Sequence, residues 1–169
     1  SITYSNFSSY DKDILWFVSQ DIEHIKTLHS KTNKNLKIIK MLKSENTNQL
    51  YKQIEYVTWR KVFNFITIKV YTKREIIDDK IIYVENHPYL KTEIKTIHTL
   101  KQDDDVTILT DNIEINAPFI IYLFKPFLKF LILRHLKSQF QEDEIFRKRL
   151  KEIKDKIGKL KEYKWLDIE

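Results

Sequence analysis

The stretch Asp21 to Thr32, DIEHIKTLHSKT, places Asp21, His24 and His29 in one short segment and holds two of the chain's five histidines. Two imidazoles and one carboxylate, with open positions left over, form the facial triad of non-haem Fe(II) sites. A carboxylate that could complete such a set lies far along the chain, at Asp143 in QEDEI (141–145). Seven residues of α-helix turn about 700°, so Asp143 falls in line with Leu136 and Leu150. Phe140 and Phe146 flank it, and Glu142 and Glu144 lie to the solvent side, so Asp143 is the carboxylate inside an apolar stripe. Unpaired, it would be costly or protonated. It needs a cation: Arg60 or Lys69 from a strand, or a metal.

Helical geometry opposes the simplest version of that site. His24 and His29 are five residues apart, about 500° of a straight helix, and so point about 140° apart. They converge on one ion only if the helix widens or ends between them. Asp21 and His24 are three apart and share a face.

The elements that must position these residues follow from periodicity. Apolar residues recur at spacings of three and four from Tyr10 to about Leu28, which predicts a helix. The segments 36–42, 50–59, 62–72, 80–86, 91–100 and 105–115 are rich in β-branched and aromatic residues and are separated by short polar turns. They predict six strands in meander order and one antiparallel sheet, with a further short strand at Ile2 to Asn6. Asn116 is placed to cap a helix with Pro118 in its first turn. That helix runs to about Gly158 with a kink at Pro126. Its stripe is Leu136, Phe140, Phe146, Leu150, Ile153, Ile157 and Leu160. The fold class is therefore α+β, one unit over residues 1–169. A curved antiparallel sheet wraps the long C-terminal helix and leaves a cavity between them.

Composition removes whole classes of chemistry. The 169 residues include no cysteine, so disulfides, thiolate metal sites and Cys nucleophiles are excluded. One glycine leaves nothing for a glycine-rich phosphate loop. The net charge of +6 is spread along the chain, and nucleic acid is not an expected partner. The polar N-terminus does not read as a signal peptide, and a cytoplasmic location is expected.

The motif D-x2-H-x4-H, here Asp21, His24 and His29, resembles the iron motif of the catalytic domain of Rieske-type ring-hydroxylating oxygenases. QEDEI is similar to the segment that supplies their carboxylate ligand, which maps to Asp143. That domain belongs to the START-like (Bet v 1-like, SRPBCC) helix-grip superfamily, and the likeness spans about residues 10 to 158. It implies Fe(II), or Zn in its place, held by His24, His29 and Asp143 beside an apolar cavity for a hydrophobic or aromatic molecule. Asp21 would act by orienting His24. Without cysteine the chain holds no iron–sulfur cluster, so oxygenase chemistry would need electrons from a ferredoxin, a reductase or a Rieske partner. The different expectation is a non-enzymatic carrier of a lipid, quinone or other hydrophobic ligand, with the iron site degenerate and no metal bound.

His98 shares a strand face with Ile94, Thr96 and Leu100, where it is either a satisfied core residue or part of the cavity wall. His87 reads as a turn residue and His135 as exposed or at the cavity rim. The apolar run 119–136 is interrupted by Lys125, Pro126, Lys129 and Arg134, which disfavours a transmembrane span. Core burial is expected for it, with contact to a membrane surface or a second subunit as the alternative.

Overall fold

The computed structural model describes residues 1–22, 25, 29, 33–45, 49–62 and 66–157, except the side chains of Val62, Ile153, Lys156 and Ile157. Seven strands form one curved antiparallel sheet: β1 (Ile2–Ser8), β2 (Asn33–Leu42), β3 (Gln53–Val62), β4 (Ile66–Ile77), β5 (Lys80–His87), β6 (Thr92–Asp103) and β7 (Val106–Asn116). The order is β1-β7-β6-β5-β4-β3-β2, so β2 to β7 are a meander and β1 closes onto β7. Helices among the described residues include α1 (Lys12–Gln20), α2 (Phe119–Tyr122), α3 (Lys125–Glu142) and α4 (Glu144–Ile157).

Side chains alternate across a strand, so every second residue of each strand faces the helices. On β4 the inward set includes Ile68, Val70, Thr72, Arg74 and Ile76, all buried. On β7 it includes Thr107, Leu109, Asp111 and Ile113. The tight hairpins at Asp78 and Asp104 use left-handed backbone, with φ of 52° and 49°. In a chain with one glycine, Asp fills such positions because its short polar side chain tolerates them.

Helix α1 lies between the sheet and α4. Its Ile14, Phe17 and Val18 pack on Phe146 and Leu150 of α4, with the Phe17 and Phe146 rings edge to face at 6.5 Å. Leu15 packs the other way, on Leu100 and Leu109 of the sheet. Phe146 and Leu150 are fully buried, and burial of side chains of this size contributes about 1.5–3 kcal/mol each.

Three features depart from the sequence reading. First, the helix expected to reach Leu28 stops at Gln20, and Asp21 turns extended at φ −66°, ψ 117°. The Ser19 carbonyl, in the last turn of α1, accepts from the Arg74 guanidinium. Second, the C-terminal helix is not one kinked rod. Asn116 does not cap it but ends β7, paired with Glu93. Pro126 starts α3 rather than bending it, and Asp143 marks the junction between α3 and α4. Third, the apolar run at 119–136 is not core at its start. Phe119, Ile120, Leu123 and Phe124 are all more than half exposed. No helix among the described residues is long and apolar enough to cross a membrane.

Candidate functional site

The sheet, α1 and α3 enclose a cavity of about 440 Å³. That lies within the range of small-molecule sites, which run from about 300 to 1,000 Å³. Its apolar wall includes Leu15, Leu109, Ile113, Leu131 and Leu136. The rest of the wall is polar and built from side chains that sequence alternation sends inward.

His29 and Asp143 meet at one side of this cavity, which both line. His29 Nε2 donates to Asp143 Oδ1 at 2.9 Å, and Nδ1 donates to Glu142 Oε2 at 2.6 Å. Glu142 is steadied in turn by the Ser138 hydroxyl at 3.0 Å. The His29 side chain is 3% exposed, and burial alone would lower its pKa. The Asp143 and Glu142 carboxylates outweigh burial and raise it. Asp143 therefore has an imidazole as its partner. It does not have Arg60, which makes a two-pronged ion pair to Glu85 at 2.8 and 2.6 Å, or Lys69, which lies over the Tyr71 ring. Burial would raise the Glu85 pKa, but Arg60 holds it well below the usual carboxylate range.

Of the other residues singled out from sequence, His24 lies outside the described residues. Asp21 is buried at the end of α1 and is not among the residues lining the cavity. Among the described residues no group of three His, Cys, Asp or Glu side chains is arranged to hold a metal. The His29–Asp143 pair supplies two donors. Nε2 carries the proton of that hydrogen bond and becomes a donor to a metal only on losing it. Glu142 on the far ring nitrogen is the kind of partner that orients a ligating histidine.

On the sheet side of the polar wall, the sequence pointed to His98 as a core or cavity-wall residue but not to Ser19, Arg74 or Asp111. There His98 Nδ1 donates to Asp111 Oδ1 at 2.7 Å, and Ser19 Oγ stands 2.9 Å from His98 Nε2. His98 and Asp111 are direct cross-strand partners on β6 and β7. His98 is thus a cavity-wall residue that is also fully hydrogen-bonded. Arg74 is 2% exposed and stacked at 4.6 Å over Tyr83 and 5.9 Å from the Tyr51 ring. Burial raises the Tyr51, Tyr56 and Tyr83 phenols, so neutral hydroxyls and not phenolates surround the guanidinium. His135, half-buried in the cavity wall, has its pKa lowered to about 4 by burial and by the Arg60 charge. The available signal for these residues was a polar side chain at an inward strand position, as in Thr72-Arg74-Ile76 and Leu109-Asp111-Ile113.

No protein family model and no curated protein matches the sequence. Solved structures do match the fold. A START superfamily protein from Mycobacterium smegmatis superposes with a TM-score of 0.64 at 10% identity, covering 88% of this chain and 97% of its own. TTHA0849 from Thermus thermophilus superposes with a TM-score of 0.60 at 10% identity, covering 83% and 92%. The fold is the START-like helix-grip fold expected from the sequence.

Proposed function

We propose that this chain binds a hydrophobic or aromatic small molecule in the cavity between the sheet and α3. The observation that carries this reading is the cavity itself: about 440 Å³, with Leu109, Ile113, Leu131 and Leu136 facing into it. Well-packed interiors rarely leave such a space, and an apolar void favours an apolar occupant. The polar wall then fixes the occupant's orientation. Native mass spectrometry of the purified chain tests it. A bound small molecule is expected in the wild type and is expected to be lost from Leu131→Trp, which fills the space. A ligand-free wild type that also binds no added apolar dye would contradict it.

A second reading places a metal, Fe(II) before Zn, at one side of the same cavity on His24, His29 and Asp143. The contact between His29 and Asp143 favours it, and Asp21 would serve to orient His24. Bound there, iron would supply oxygen-activating chemistry next to the apolar ligand, as in the ring-hydroxylating oxygenases that the motif resembles. Electrons would come from a separate ferredoxin or reductase. Metal content of the chain as isolated, with Asp143→Ala as the control, decides between this reading and a metal-free carrier.

A further inference from the structure

Ser19, His98 and Asp111 are brought together from α1, β6 and β7, and all three line the cavity. Asp111 accepts from Nδ1–H of His98, so the lone pair of the imidazole sits on Nε2. That nitrogen is 2.9 Å from Ser19 Oγ. The Ser19 hydroxyl has a second acceptor, the Leu15 carbonyl at 2.8 Å one turn back along α1. Rotation of the hydroxyl moves its proton between the two. The order carboxylate, imidazole, hydroxyl is that of a serine nucleophile with its general base and the group that orients the base. Such sets are recognised by geometry and not by position in the chain.

A cation stands beside this set. Arg74 Nη2 donates to the Ser19 carbonyl and, at 3.1 Å, to the Tyr83 hydroxyl. Its Nε and Nη1 are buried and have no hydrogen-bond acceptor among the described residues. Buried donors without acceptors are costly, and an anion forming nearby would offset that cost.

We infer that Ser19, His98 and Asp111 form a hydrolytic site for esters of apolar acids bound in the cavity. This goes beyond ligand binding but rests on the cavity being the binding site. Ser19 Oγ forms a bond to the ester carbonyl carbon as its proton passes to His98 Nε2, and the carbonyl π pair moves onto oxygen. The Arg74 charge stabilises that oxyanion. Collapse breaks the bond to the alcohol oxygen, which takes the proton from His98. Water, deprotonated by the same imidazole, then releases the acid and restores Ser19. Asp111 holds His98 in the required tautomer throughout and stabilises its charged form.

The test uses the whole chain with a fluorophosphonate probe and with p-nitrophenyl octanoate. Stoichiometric phosphonylation is expected, mapping to the peptide that contains Ser19. Octanoate release is expected to fall to the buffer background in Ser19→Ala and by about 100-fold or more in His98→Gln. Naphthalene binding is measured alongside in each variant, and hydrolysis lost while naphthalene still binds separates loss of chemistry from loss of the cavity. An unlabelled wild type that still binds naphthalene overturns the hydrolytic site and leaves ligand binding standing. Label on another residue, or wild-type hydrolysis by Ser19→Ala, overturns it as well.

Discussion

His29 and Asp143 are 114 residues apart in sequence and joined by a 2.9 Å hydrogen bond at the side of the cavity. The contact ties the segment after α1 to the junction of α3 and α4. Asp143→Ala removes one of the two carboxylates that, among the described residues, hold the imidazole. A loss of about 1.5–3 kcal/mol is expected in chemical denaturation, the range for a charge-assisted hydrogen bond. A change below the error of the measurement would show that the contact contributes nothing to stability.

Two of the cavity-lining histidines, His29 and His135, have pKa values shifted in opposite directions. His29 has a raised pKa, so its contribution to stability is full below the unfolded value of about 6.5 and is lost as pH rises through its folded value. His135 has a pKa lowered to about 4, so the unfolded chain binds the proton first. Stability should therefore rise with pH between about 4 and 6.5 on account of His135. Imidazole NMR titrations in the presence of a chelator should show His29 still charged where His135 is already neutral. The reverse order would refute the assignment.

The Arg60–Glu85 pair is about one-fifth exposed at each side chain and doubly hydrogen-bonded. Glu85→Gln leaves the guanidinium without a counter-charge, with an expected loss of about 3 kcal/mol. The double change Arg60→Met with Glu85→Leu should cost less than the single one, because nothing charged is left behind. A thermodynamic cycle on the four proteins measures this.

Around α2, Phe119 is 79% exposed and Phe124 59% exposed. Phe119→Ser and Phe124→Ser should each change stability by less than about 0.5 kcal/mol. A large loss in thermal unfolding would mean that these rings are packed in solution.

Strand and helix periodicities carried the fold, because inward residues of β3 to β7 recur every second position and the stripe at Leu136, Phe140, Phe146 and Leu150 recurs at helical spacing. Asp143 stood out for the same reason, as a carboxylate in line with leucines. What periodicity could not reveal was the partner. Asp143 could as well have met Arg60, and only the fold shows that Glu85 claims Arg60 and leaves His29 for Asp143. The end of α1 was equally hidden, since the apolar pattern runs on past Gln20 while Arg74, from β4, takes the Ser19 carbonyl. The wall formed by Ser19, His98 and Asp111 depends on strand register, which places His98 opposite Asp111 across 13 residues of chain.

The central claim is that the cavity holds an apolar ligand, and methyl NMR locates such a ligand directly. With isoleucine and leucine methyls labelled, titration with naphthalene should shift Ile94, Leu109, Ile113, Leu131 and Leu136, which face the cavity. Ile39 and Ile77, both exposed, should not move. Shifts confined to the exposed residues Ile120 and Leu123, with the cavity methyls unchanged, would contradict the account.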